Sequence, residues 1–95
     1  MIKKKTRTKT RTKTIHSPEY AIFLRLLRQI RERQEVTQEQ LAERWGVTQS
    51  FISKCERGER RIDALELRTF CRAMGVSLAS FVAELEQILS TDSPS

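Results

Sequence analysis

The sequence is poor in the residues on which catalytic and disulfide-bonded domains depend. Its 95 residues include 3 Gly, 2 Pro, 2 Cys and a single histidine, His16. One histidine, outside the part expected to fold, excludes a Ser-His-Asp set there, and so few glycines do not build a phosphate-cradling loop. The sequence therefore predicts a protein that is not an enzyme and that holds no metal or cofactor.

Long hydrophobic runs are also lacking. The nearest, residues 21–27, is interrupted by Arg25, whereas a membrane span needs about 18 apolar residues. The basic start is followed by a Thr-rich segment without a cleavage pattern, which argues against a signal peptide. Cys55 and Cys71 lack CxxC spacing and lie in apolar helical patterns, which favours reduced core residues. We therefore expect a cytoplasmic protein without membrane contact, and the chain length allows one domain only.

The net charge of +6 is distributed unevenly. Residues 1–16 contain seven cations and no acid, whereas residues 62–95 contain two cations and five acids. Lys or Arg alternates with Thr from Lys5 to Thr14. This basic arm is interpreted either as a disordered, self-repelling segment or as one that becomes ordered on DNA phosphates or in a minor groove. The cations of the arm are Lys3, Lys4, Lys5, Arg7, Lys9, Arg11 and Lys13.

Apolar residues with helical spacing, separated by capping residues and glycines, predict five short helices and no strand. The expected starts are Ser17, Thr37, Thr48, Asp63 and Ser77, and the expected ends are near Gln34, Gly46, Gly58, Gly75 and residue 90. The predicted fold class is all-α, a compact five-helix bundle with a basic N-terminal arm. The predicted organisation is an arm over 1–16, a folded domain over 17–90 and a frayed end over 91–95.

The predicted second and third helices are separated by Gly46 and Val47, the short Gly-containing turn of a helix-turn-helix. Residues 36–58 contain a Thr-Gln-x-x-Leu-Ala opening, this glycine, a Gln-Ser pair and a closing Glu-Arg-Gly. The stretch resembles the Cro and phage-repressor type of regulator, also called the xenobiotic response element (XRE) family. The resemblance, extending over residues 17–89, implies the five-helix domain of lambda-repressor-like proteins, which binds double-stranded DNA. Trp45 and Cys55 depart from the aliphatic residues more usual at their positions.

The resemblance implies a recognition helix over about 49–57 that lies in the major groove of DNA, and a transcriptional regulator, most simply a repressor. Side chains implied to contact bases are Gln49, Ser50, Ser53 and Lys54. Side chains expected to contact phosphates are Gln38 and Thr48, at helix starts, and Arg57, Arg60 and Arg61, which extend a cationic rim.

Two residues leave alternatives open. Phe51 is expected to pack against the first helix or to touch a thymine methyl group or a sugar. Arg44 is expected to pair with Glu39, Glu43 or Glu56, and the sequence does not choose among them.

The fifth helix carries more apolar residues than a small core needs from its last helix. We therefore predict that part of it forms a symmetric dimer contact, so that two copies read a palindromic operator. The candidates are Phe81, Leu85, Ile88 and Leu89. An alternative function is an antitoxin that binds a toxin and also regulates its own synthesis through DNA.

Overall fold

The computed structural model describes residues 17–92, which form five helices. The predictions for the arm and for residues 93–95 lie outside the described residues. The helices are α1 Pro18–Arg33, α2 Gln38–Trp45, α3 Gln49–Glu56, α4 Ala64–Met74 and α5 Leu78–Asp92. The predicted all-α, five-helix fold is confirmed, and α5 extends through residues 91 and 92, where the sequence predicted the start of a frayed end.

Each helix begins where a short polar side chain satisfies one of the otherwise unpaired amides of the first turn. The Thr37 hydroxyl accepts from the Gln40 amide at 3.0 Å, and the Gln40 side chain accepts from the Thr37 amide at 2.9 Å. Asp63 and Glu66 form the same reciprocal pair at the start of α4. The remaining helix starts have single caps from Ser17, Thr48 and Ser77. All five predicted caps are confirmed, because capping depends on residues close in sequence.

Left-handed backbone closes four of the helices, and Gly58, with φ of 80°, is the position that follows α3. Gly46 ends α2 with φ of 87°, and Gly75 ends α4 with φ of 85°. After α1, the left-handed position is occupied by Glu35, with φ of 60°. The Val36 amide then donates to the Arg31 carbonyl at 3.0 Å, which turns the chain towards α2.

The core collects the apolar faces of all five helices. Its buried members are Leu26, Leu27, Ile30, Val36, Leu41, Ala42, Ile52, Cys55, Leu67, Phe70, Cys71, Met74 and Phe81. Cys55 and Cys71 are free thiols, as predicted. Among residues 17–92, no helix has the length and apolar character needed to cross a bilayer.

Two predictions of exposure are wrong. Phe81 was a dimer candidate, but it is fully buried and its ring meets that of Phe23 edge to face, with centroids 5.7 Å apart. It belongs to the core of its own chain. Arginine side chains are expected at a protein surface, yet Arg31 of α1 is only 8% exposed. The reason is a long-range ion pair with α3, described below.

Candidate nucleic-acid interface

The turn between α2 and α3 is short and closed by hydrogen bonds. The amides of Gly46 and Val47 donate to the Ala42 carbonyl at 2.8 and 3.0 Å. The Thr48 hydroxyl accepts from the Phe51 amide at 3.1 Å, which starts α3 at once. α3 is therefore held against α2 with little freedom in its direction.

One face of α3 is anchored in the core. Ile52 and Cys55 have no exposed surface. Because helical residues three and four apart share a face, residues between these positions are directed away from the core. The anchoring thus determines which α3 side chains reach solvent.

The side chains predicted to contact bases lie on the outer side of α3. Gln49, Ser50 and Lys54 are exposed, and Ser53 is half-buried. The Ser53 hydroxyl accepts a hydrogen bond from the Arg57 guanidinium. The arrangement offers an amide, hydroxyls and an ammonium group, which are the groups that bind base edges in a major groove.

The two predicted phosphate contacts at helix starts differ in their surroundings. Thr48 is exposed, and although its oxygen already accepts from an amide, a hydroxyl keeps its own hydrogen for donation. Gln38 is half-buried, and its amide nitrogen donates to Glu56 Oε1 at 3.0 Å. Its amide oxygen accepts from Gln49 Nε2 at 3.4 Å. Gln38 therefore bridges the start of α2 to both ends of α3.

Behind this interface lies an ion pair that sequence reasoning missed. Arg31 Nε donates to Glu56 Oε2 at 2.6 Å and Nη2 donates to Oε1 at 3.1 Å, while Nη1 donates to the Val36 carbonyl at 2.9 Å. Together with Gln38 and Gln49, the pair makes a continuous polar chain from α1 to the first residue of α3. A sequence signal existed, since Arg31 lies four residues after the buried Leu27 and so on the apolar face of α1.

Arg57 and Arg60 of the predicted cationic rim form ion pairs with nearby carboxylates. Arg57 Nε donates to Glu59 Oε2 at 2.8 Å, and Arg60 Nη2 donates to Glu66 Oε2 at 2.7 Å. Hydrogen bonds from these arginines lower the pKa of both glutamates, and the glutamates raise the pKa of both arginines. The third rim residue, Arg61, is exposed and lies over the Tyr20 ring at 4.3 Å from its centroid.

Phe51 and Arg44, the two residues with open alternatives, have protein partners that the sequence did not predict, and contact of Phe51 with a thymine methyl group or a sugar stays a prediction. Phe51 packs edge to face on Trp45, with ring centroids 5.2 Å apart, and the Arg60 guanidinium lies over the Phe51 ring, 4.8 Å from its centroid. Arg44 pairs with none of the three predicted glutamates. Its Nη1 donates to the Ala73 carbonyl at 2.6 Å, a cation at the carboxyl end of α4, where the helix dipole favours it.

The two buried thiols, Cys55 and Cys71, are expected to be unreactive. Burial raises the pKa of Cys55, with the Arg60 guanidinium opposing the shift, and burial raises the pKa of Cys71 to about 11. Both are therefore protonated near neutral pH, which makes them poor nucleophiles. Within residues 17–92, no group of three or more His, Cys, Asp or Glu side chains is arranged to hold a metal ion.

Comparison with known proteins shows sequence similarity over most of the chain. The helix-turn-helix domain family matches residues 22–85. An uncharacterized transcriptional regulator in the ATPase CF(0) region of Rhodospirillum rubrum is 38% identical over 76 residues, covering 80% of this chain and 69% of that protein.

Solved structures are similar to most of the chain. An XRE-family like protein from Pseudomonas syringae pv. tomato is 41% identical, with a TM-score of 0.73 over 84% of this chain and 98% of that one. The clp gene regulator ClgR from Corynebacterium glutamicum is 27% identical, with a TM-score of 0.65 over 77% of this chain and 78% of that one. The chain belongs to the helix-turn-helix domain family and is a Cro/C1-type, XRE-family transcriptional regulator.

Proposed function

We propose that this regulator represses transcription by binding a specific double-stranded DNA operator through α3. The observation that carries the proposal is the exposure of Gln49, Ser50 and Lys54 on a helix whose opposite face is buried in the core. A helix held in this way can enter a major groove about 12 Å wide without distorting the rest of the domain.

Each exposed group on α3 has a chemical preference among bases. Gln49 can form two hydrogen bonds with adenine, Lys54 favours the O6 and N7 acceptors of guanine, and Ser50 and Ser53 can bind either donors or acceptors. The contact between Gln38 and Gln49 supports this assignment, because it limits the directions in which the Gln49 amide points before DNA arrives. Preorganisation of this kind reduces the entropy lost on binding.

The residues around α3 supply affinity rather than sequence information. Thr48 and Gln38 face the strand at helix starts, and Arg57, Arg60 and Arg61 follow α3 as a cationic rim. Both guanidinium groups are exposed, although Glu66, the partner of Arg60, is half-buried. Exposed ion pairs contribute modestly to stability, so these cations can be exchanged onto phosphate oxygens. The arm would add up to seven phosphate contacts.

We also propose that α5 forms the contact between two copies. Val82 is 46% exposed, and Leu85, Ile88 and Leu89 are half-buried, which leaves apolar surface along one side of α5. Leu85 and Leu89 also line a groove of about 320 Å³ beside Tyr20 and Phe23 of α1. Two copies would then read half-sites about 34 Å apart on a palindromic operator.

The proposed function is tested by selecting binding sites from random duplex DNA with the purified chain. We expect one enriched motif with two-fold symmetry. Gln49→Ala and Lys54→Ala should each relax the choice of base at one position per half-site, at a cost of about 1–3 kcal/mol. Arg60→Ala should weaken all sequences alike. Arg25→Ala, which removes an exposed cation on α1, is the matched control and should leave both properties unchanged.

An unchanged motif in the Gln49 and Lys54 variants would contradict the assignment of α3 as the reading helix. Selection of no motif at all would contradict specific DNA binding. The antitoxin alternative stays a prediction, since it requires a second protein that binds this chain.

A further inference from the structure

A second concave site lies between the end of α2 and the outer side of α4. Its volume is about 430 Å³, within the range of about 300–1,000 Å³ typical of small-molecule sites. Its lining consists of Arg44, Trp45, Arg68, Thr69, Arg72 and Ala73. None of these residues was assigned a DNA contact, and α3 contributes nothing to the lining.

The site concentrates positive charge without a compensating acid. Its lining holds three arginines and no carboxylate. Among residues 17–92, ion pairs engage Arg28, Arg31, Arg33, Arg57 and Arg60, but none engages the three arginines of this site. Arg68 and Arg72 are also four residues apart on α4, a spacing at which like charges destabilise a helix. A bound anion would remove that repulsion.

One of the three cations is already fixed in place. Arg44 Nη1 donates to the Ala73 carbonyl at 2.6 Å, which holds its guanidinium at the carboxyl end of α4. A guanidinium has five N–H donors, so this bond leaves others for a ligand. Arg44 of α2 and Arg72 of α4 thus line the same site, so an anion could bind donors from two different helices.

The remaining wall is aromatic. Trp45 is half-buried between Phe51 and Phe70, with ring centroids 5.2 and 5.1 Å away. These contacts hold the indole at the edge of the site and provide an apolar surface. A ligand that combines anionic groups with an apolar part matches both kinds of wall.

We propose that this site binds a small polyanion that carries phosphate or carboxylate groups. Arginine binds both groups through paired, parallel N–H donors, and such charge-assisted hydrogen bonds are roughly twice as strong as neutral ones. The proposal concerns a ligand site beyond the DNA-binding function and does not depend on it.

Trp45 is the single tryptophan of the chain, so its fluorescence reports directly on the site. The full-length protein is titrated with inorganic pyrophosphate and, separately, with citrate, at constant ionic strength maintained with sodium chloride. We expect a saturable change with a Kd of about 1 mM or tighter for at least one of them. Pyrophosphate alone indicates a phosphate ligand, and citrate alone indicates a carboxylate ligand.

The decisive comparison is between two double variants with equal loss of charge. Arg68→Ala with Arg72→Ala should weaken binding by about tenfold or more, whereas Arg25→Ala with Arg28→Ala on α1 should not. Circular dichroism checks that both variants fold. If the Arg68→Ala, Arg72→Ala variant unfolds, Arg68→Gln with Arg72→Gln replaces it. Equal weakening in both variants, or no saturable change with either probe, would overturn the proposal. It would also be overturned if the first variant lost DNA affinity by a similar factor, because these arginines would then be phosphate contacts of the DNA interface.

Discussion

Arg31 and Glu56 form an ion pair that joins α1 to the last residue of α3. The pair is almost withdrawn from water, with side-chain exposures of 10% and 4%. Every oxygen of the carboxylate accepts a hydrogen bond, from Arg31 at both oxygens and from Gln38 at one. The orientation of the proposed reading helix therefore depends on a charge carried by a different helix.

We predict that Glu56→Gln destabilises the domain by about 3–5 kcal/mol, because it leaves the Arg31 guanidinium buried without a counter-charge. The measurement is the free energy of unfolding in urea at neutral pH. Glu32→Gln is the matched control, since it breaks the exposed pair with Arg28 and should cost about 1 kcal/mol or less. Similar losses in the two variants would show that the buried pair has no special weight.

We predict that deletion of residues 1–16 weakens DNA binding but preserves the choice of sequence. The deleted segment carries seven cations, and each lost phosphate contact should reduce the slope of log K against log salt by about 0.9. The measurement is DNA affinity at several salt concentrations, for a selected site and for a scrambled one. Complete loss of the preference for the selected site would mean that the arm, rather than α3, carries recognition.

We predict that Val82→Glu shifts the chain towards a monomer, because it places a charge on the apolar side of α5. The measurement is sedimentation at several concentrations, with and without the operator. Leu65→Glu on α4 is the control, because Leu65 is 77% exposed and lies outside the proposed contact. A wild-type monomer both free at high concentration and on DNA would contradict the dimer.

We predict that acid weakens the start of α4 through Glu66. Its pKa is lowered from 4.5, first by hydrogen bonds from Arg60, so the folded state favours the ionised form. The resulting stability is fully present above pH 4.5 and is lost as pH falls through the lower folded-state pKa. In Glu66→Gln, this part of the pH dependence of unfolding should disappear. An identical pH dependence in the two proteins would contradict the assignment.

The helix boundaries were predictable because their determinants are local. Thr37 with Gln40 and Asp63 with Glu66 are readable as three-residue spacings, and Gly46 occupies a backbone conformation that other residues disfavour. The exposure of Gln49 and Lys54 follows from the same periodicity once Ile52 and Cys55 are assigned to the core.

The predictions that failed involve residues distant in sequence. Arg31 meets Glu56 across 25 positions and Arg44 meets Ala73 across 29, and no helical spacing reports such pairs. The helical spacing of the apolar residues on α5 was compatible with Phe81 lying either in the core or in a dimer contact. Its ring packs on Phe23 of α1, which is distant in sequence but adjacent in the fold.

The left-handed backbone at Glu35 limits which amino acids that position can tolerate. Left-handed backbone costs most residues about 1–2 kcal/mol, and glycine and asparagine adopt it most easily. Saturation mutagenesis scored by thermal tolerance should therefore enrich glycine and asparagine at this position and deplete valine and isoleucine. The closing turn of α1 is therefore a position where glycine or asparagine should raise the unfolding temperature, at a site outside the proposed reading helix α3.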